Sequence, residues 1–439
     1  MQDLYFLAII WCGVLLSAFL AQRTRLTSVL FFLAFGSLMV NIGWLPATET
    51  SFIHGFSQLG IILIMFALGF EENPGKFTQS LKRSWGIAFF GALVPFFVAY
   101  SVAMHFWGDQ KLALMCGLAM TATAVSLTMV SLRSEGLHTT DAARGIMTSA
   151  VIDDVGTLFL VAILVPVATG NVELSVMQVT ENVISAALFF GLITVLGMWV
   201  FPSESAGQIM HRLPLLRNYG IRNVLMVNDS GQTTLIILLL ALVLGLLAHY
   251  FGFHPAVGAY MAGLILKKEY FHVDEALQTL TYEEAKHVVD NVAFIWIGPV
   301  FFVTLGTKIV IDYDIVISVL PQTLLMLSGL FVGKILSATL AARYTGKFEW
   351  NESVMIGIGM LGRAELAFVV LDIGYVQNAI LTTEAFYTLI FTAFWLNIAV
   401  PISIRLWRPY FLREKQLIVK IGKWNIIPPG GFHTRGSHQ

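Results

Sequence analysis

The sequence predicts an all-α polytopic membrane protein of about thirteen transmembrane helices. Hydrophobic residues make up 57% of the chain and charged residues only 12%, against about 25% charged in soluble domains. Apolar runs of about the ~20 residues that a membrane crossing needs recur along its length. Basic residues gather in alternate loops, as positive-inside topology requires.

The spans fall near 3–21, 27–45, 52–70, 84–106, 111–132, 143–169, 182–201, 233–250, 254–267, 289–306, 315–342, 351–373 and 383–406. The first, MQDLYFLAIIWCGVLLSAFLAQ, has no basic leader and no A-x-A site, so it reads as a span and not a removable signal. The third stops at FALGFEENPG, with Glu71 and Glu72 facing the cytoplasm. A long basic loop, 202–232, follows the seventh. The ninth is short and leads into an amphipathic surface helix from Asp274 to His287. Residues 407–439 form a short basic tail, solvated near anionic lipid and too short for a nucleotide-binding regulatory domain.

With the N-terminus outside, about 22 of the 26 basic residues lie on the cytoplasmic side; Lys111 and Lys308 lie outside, and Lys334 and Arg363 lie within spans. The chain is thus expected in the cell (inner) membrane, N-terminus out and C-terminus in. Thirteen spans divide as six, a linker and six, which permits two repeats of inverted topology, the arrangement of many secondary transporters. A net charge of −1 names no partner, and nothing points to nucleic acid. Cys12 and Cys116 lie in apolar runs, with no disulfide framework or thiolate metal site. His54, His105 and His249 sit near helix ends without metal-ligand spacing.

Charges inside the spans carry the functional signal. Asp153 and Asp154 stand in MTSAVIDDVGTLFLVAILVPVA, where each carboxylate costs ~2.5–3.5 kcal/mol on insertion scales. Lys334 stands in SGLFVGKILSATLAA. Counted from Arg144 and from Arg343, Asp153 and Lys334 each lie nine residues into their helices, ~13 Å deep at 1.5 Å per residue. Neighbouring helix positions point about 100° apart, so one aspartate contacts the lysine and the other faces a cavity. Such a set suits movement of protons or cations. Thr121, Thr123, Ser126 and Thr128 crowd the fifth span at similar depth, with Thr123 the best hydroxyl candidate. In the twelfth, Gly357, Gly359 and Gly362 precede Arg363 and Glu365. Residues two apart do not share a helix face, so these two charges reach different partners or the helix breaks there.

TATAV, AVIDDV, FFVTLGTKI, Lys334 and GMLGRAELAFVV together resemble the monovalent cation:proton antiporters, in particular the double-aspartate, electrogenic Na⁺/H⁺ branch of the NapA and GerN kind. The glutathione-gated potassium efflux relatives usually carry Gln-Asp at the acidic site and a nucleotide-binding domain. The resemblance implies a transporter and not an enzyme. It needs no cofactor, its cargo is H⁺ and Na⁺ (or Li⁺ or K⁺), and its partners are membrane lipid and a second copy in a homodimer. It implies Asp154 as the residue that exchanges cation for proton, Asp153 as the partner of Lys334, Thr123 at the crossing of two broken helices, and Arg363 and Glu365 on the second of these. It further implies a core (84–169 and 315–406) sliding as an elevator against a scaffold (1–70 and 233–306), with 182–201 as linker.

Three rival readings remain. A K⁺/H⁺ exchanger could use the same scaffold. An intramembrane aspartyl protease needs carboxylates sharing a proton across a cleft, which adjacent residues cannot do, and no G-x-G-D occurs. A channel would be obstructed by Lys334 in its path.

Overall fold

A chain in lipid must satisfy its backbone internally, so each apolar run closes into helix. The computed structural model describes residues 2–24, 26–71, 74–170, 176–199, 230–266, 282–412, 419–421 and 424–426. Within them it is an all-α membrane fold. Seven described helices are long and apolar enough to cross a bilayer, and shorter apolar helices complete the set.

The first half comprises α1 (Gln2–Thr24), α2 (Ser28–Asn41), α3 (Ser51–Glu71), α4 (Pro74–Trp107), α5 (Gln110–Ala119), α6 (Val125–Ser134) and α7 (Asp141–Ala168). Next come α8 (Val176–Trp199), α9 (Ser230–Tyr250), α10 (Pro255–Ile265), α11 (Tyr282–Asn291) and α12 (Gly298–Gly306). Last are α13 (Tyr313–Ser318), α14 (Leu320–Tyr344), α15 (Trp350–Gly359), α16 (Glu365–Leu371) and α17 (Thr383–Phe411). The fifth expected span is α5 plus α6, interrupted at 120–124, and the twelfth is α15 plus α16, interrupted at 360–364. Counted within six-pass halves around α8, both breaks fall at the fifth pass, as paired discontinuous helices of inverted repeats do.

Two sets of helices pack closely. In one, α10 lies on α3 and α9, and α12 on α2 and α3; in the other, α14 lies on α4, α15 and α17, and α7 on α4, α5 and α15. Helix α8 touches α7 on one side and α10 on the other. Small residues set the α3–α10 crossing. A Cβ on Gly69 would lie 2.0 Å from the Tyr260 carbonyl oxygen, and one on Gly263 2.2 Å from that of Phe66. Backbones approach this closely only where side chains vanish. Gly69→Ala is therefore expected to cost about 1–3 kcal/mol, read as a lower melting temperature in detergent, whereas Gly55→Ala, which meets open space, should melt like the parent.

Several expectations need correction. The second span ends as helix at Asn41, and residues 42–45 turn back by bonds such as Trp44 N–H to Met39 O, 2.9 Å. The eleventh is two helices, because Val319 closes α13 and Pro321 opens α14. The surface helix from Asp274 to His287 is replaced, from Tyr282 on, by α11, which runs through a π-helical turn (Val292–Trp296) into α12. Buried Ala285 and Val289 hold α11 against protein, not lipid headgroups. Glu71 pairs with Lys286 at 3.2 Å, tying α3 to α11. In the tail, strands β1 (Val419–Ile421) and β2 (Trp424–Ile426) pair antiparallel. Glu72, most of loop 202–232, residues 274–281 and the rest of the tail after 412 lie outside the described residues.

Candidate functional site

The two broken passes cross at their breaks. Thr123 and Arg363 form an isolated antiparallel bridge, and Ala124 N–H donates to Gly362 O at 3.0 Å. A broken helix strands carbonyls at one end and N–H groups at the other, and the crossing satisfies several of them mutually. Thr128 Oγ1 donates to the Gly359 carbonyl at 2.7 Å, closing the end of α15. Asn397 on α17 clamps Arg363 from both sides. Its Oδ1 accepts from Arg363 N–H at 2.7 Å, and its Nδ2 donates to Arg363 O at 3.3 Å. The Arg363 guanidinium, 2% exposed, reaches the Ala122 carbonyl at 3.5 Å. It adds positive charge where α5 and α15 both end, at the negative poles of their dipoles.

Against this crossing lie α7 and α14. Lys334 and Asp153 are both buried, with Nζ to Oδ2 at 3.6 Å. The hydroxyl of Thr123 joins them, accepting from Lys334 Nζ at 2.8 Å and donating to Asp153 Oδ2 at 2.5 Å. Lys334 also donates to the Gly91 carbonyl at 2.6 Å. Pro95 explains why that carbonyl is available: it lies four residues on within α4 and has no N–H to return to Gly91. Two of the lysine's three N–H groups are thus engaged by hydrogen bonds, and the carboxylate of Asp153 stands at ion-pair distance from the same nitrogen.

Asp153 Oδ1 has no hydrogen-bond partner among the described residues, nor do Ser149 Oγ and Thr157 Oγ1. These residues are four apart, so three oxygens line one stripe of α7. Lys334, Arg363 and Asp153 are thus buried at the crossing, with Asp154 half-buried on the next helix face.

The structure thus brings Asp153, Thr123, Lys334 and Arg363 together. It leaves Glu365 on the first turn of α16, beyond the break and half-buried. Thr121 bonds back to Gly117 O at 2.8 Å within its own pass, and the side chain of Ser126 lies outside the described residues. His54 sits 3.3 Å from Glu49. Sequence reasoning missed Asn397, Gly91, Ser149 and Thr157. Only Gly91 carried a signal, in the proline four residues later.

Because Thr123 mediates the pair, Thr123→Val should cost about 1–3 kcal/mol by leaving buried polar atoms unmet. Thr123→Ser should restore it. Equal melting temperatures for all three proteins would show that the hydroxyl holds nothing.

Paired broken helices with buried charges of both signs at their crossing define an ion carrier of the secondary-transporter class. Residues 8–407 match the family described as sodium/hydrogen exchanger, transmembrane, and the chain belongs to that family. It is a multi-pass membrane transporter and not an enzyme, and the ions are its cargo. It is 28% identical over 362 residues to the probable Na⁺/H⁺ antiporter GerT of Bacillus cereus, covering 81% of this chain and 87% of that protein. It is 26% identical over 393 residues to the Na⁺/H⁺-K⁺ antiporter GerN of the same species, covering 88% and 90%. Its fold is similar to the solved sodium proton antiporter MjNhaP1 of Methanocaldococcus jannaschii, with TM-score 0.66 and 14% identity over 92% of this chain and 98% of that one.

Proposed function

We propose that this protein exchanges Na⁺ or Li⁺ for protons, electrogenically, by an elevator-type movement. The observation that carries the reading is the Lys334–Thr123–Asp153 link at the crossing, with Asp154 beside it. Protonated, Asp154 and the Asp153/Lys334 unit form one loaded state. When protons leave, a cation binds at Asp154, Asp153 releases Lys334, and Thr123 lends its oxygen. Because the lysine and both acids take part, more than one proton can exchange for each cation, and net charge then moves. Sites of this kind hold hard cations through oxygen.

The packing of α4–α7 with α14–α17, apart from α1–α3 with α9–α12, supports a core of 84–169 and 315–406 moving against a scaffold of 1–70 and 233–306. The linker α8, touching both sets, supports the same division. In this reading the chain is a homodimer in the inner membrane, with its N-terminus outside and its C-terminal tail in the cytoplasm.

GerN, by its name, also involves K⁺, so ion choice is the deciding measurement. Proteoliposomes holding a pH dye, with and without a clamped voltage, should alkalinise on Na⁺ and Li⁺ pulses. The response to K⁺ should be weaker by about tenfold, ~1.4 kcal/mol of selectivity. An equal or stronger K⁺ response makes this a K⁺/H⁺ exchanger. A rate indifferent to voltage removes electrogenicity.

A further inference from the structure

A second polar cluster lies away from the crossing, where α16 runs on into a single π-helical turn, Asp372–Gln377. Residues five apart point about 140° apart on an α-helix, but the wider π turn brings them together. Asp372, only 5% exposed, thereby meets Gln377. The turn is braced from behind. The Gly374 carbonyl accepts from Ile380 N–H at 2.7 Å and Leu381 N–H at 3.0 Å, and Asn378 Nδ2 donates to Ile373 O at 2.9 Å. Gln377 Nε2 lies 2.7 Å from Asp372 Oδ2 and 3.3 Å from His254 Nε2. His254 is the cap of α10. The row Asp372–Gln377–His254 therefore joins the helix set that holds α16, packed on α5, to the set that holds α10, packed on α3.

Counting donors places the protons. His254 Nδ1 accepts from Ala256 N–H at 3.2 Å, so in the neutral ring the hydrogen sits on Nε2 and points at Gln377. With nitrogen at the near end of the amide, Gln377 and His254 would meet as two donors. With oxygen there they bond, and the two ends of the amide exchange by a half-turn without change of shape. That oxygen also faces Asp372 Oδ2. Two oxygens at this distance bond only through a proton, so Asp372 is then the neutral acid and donates. Ionised Asp372 calls the NH₂ end of Gln377 back to itself, and the bond to His254 is lost. Glu49, His54 and Lys308 also face Asp372, but Glu49 pairs with Lys308 at 2.9 Å and with His54 at 3.3 Å. Lys111 of α5 lies beside Gly170, His249 of α9 faces His254, and Glu384 of α17 is exposed.

We propose that Asp372, Gln377 and His254 form a proton-operated latch between the two helix sets, closed when Asp372 is protonated and open when it is ionised. As a brake on movement of one set against the other it rests on the elevator reading above; as a tie between them it does not.

Spin labels at Tyr250→Cys on α9 and Gln110→Cys on α5, both exposed, measure the separation of the sets in nanodiscs. A Cys12→Ser background leaves buried Cys116 as the other thiol. The comparison is between about pH 5 and about pH 9, which span carboxyl titration in proteins. The parent should give one narrow distance in acid and a broader, longer distribution in base. Asp372→Asn, whose amide donates as the neutral acid does, should stay narrow in both. Gln377→Ala should stay broad in both. His254→Asn, which can still cap α10 but lacks the Nε2–H, should match it and carries the test if Gln377→Ala folds poorly. In proteoliposomes with acid on both sides, Gln377→Ala should exceed the parent's cation-driven flux by about threefold to tenfold, the scale of one hydrogen bond, and equal it in base. Parent distances unmoved by pH, or a pH response that survives Asp372→Asn, would overturn the latch and assign any response to the histidines. Distances that behave as expected, with equal flux in parent and Gln377→Ala, would uphold the latch and remove the elevator movement.

Discussion

Asp154→Asn abolishes cation-driven proton flux in proteoliposomes, to below about one part in a hundred of the parent rate, a loss of at least ~2.7 kcal/mol. Asparagine keeps the volume of aspartate, but it neither carries a proton nor offers a negative charge to Na⁺. If Asp154 is the group that alternates between proton and cation, no other residue substitutes: Asp153 is already engaged through Thr123 and Lys334. The same change should leave folding intact. Asp154 is half-buried on a spanning helix, and neutralising a carboxylate within the membrane relieves a cost of ~2.5–3.5 kcal/mol on insertion scales. A melting temperature equal to or above the parent's, together with zero flux, separates lost chemistry from lost structure. Normal Na⁺-driven pH change in this variant defeats the assignment, and a protein that fails to fold places Asp154 among the structural charges.

The legible part of this site was legible because lipid makes charge rare. Asp153, Asp154, Lys334 and Arg363 are conspicuous in their apolar runs, and the turn count alone places Asp153 and Lys334 at one depth. The breaks were half-readable. Glycines at 357, 359 and 362 and hydroxyls at 121, 123 and 128 announce irregular backbone, but not that the two irregular stretches bridge each other at Thr123 and Arg363. Asn397 was invisible, because one amide in a spanning helix resembles ordinary interhelical glue. Its role depends on which backbone it meets. The surface helix was misread for a related reason. The stripe of Glu283, Lys286 and Asp290 looks the same whether a helix floats on the membrane or is the wet end of a span. The continuous apolar run Tyr282–Gly306, long enough to cross a bilayer, favours the second.

Replacing Lys334 is the severest test of the fold's own electrostatics. Lys334→Ala removes the cation facing a fully buried carboxylate, leaves the Gly91 carbonyl without its donor and takes away one of the Thr123 contacts. Breaking one half of a buried pair typically costs ~3–5 kcal/mol, because the remaining charge stays desolvated and uncompensated. The expected result is a large fall in melting temperature in detergent. Asp153→Asn added to Lys334→Ala should recover part of it, since the stranded charge is then gone. Coupling between the two sites in that double-mutant cycle should reach at least ~1 kcal/mol, within the range for contacting residues. Additive losses would mean that the 3.6 Å approach carries no energy and that the lysine acts through its hydrogen bonds to Gly91 and Thr123. Lys334→Gln, which can still donate to that carbonyl, separates folding from transport: it should fold better than the alanine variant, with its transport current altered in size or voltage dependence. A current identical to the parent's would take the lysine out of the proton count and leave it a clasp between α14, α4 and α7.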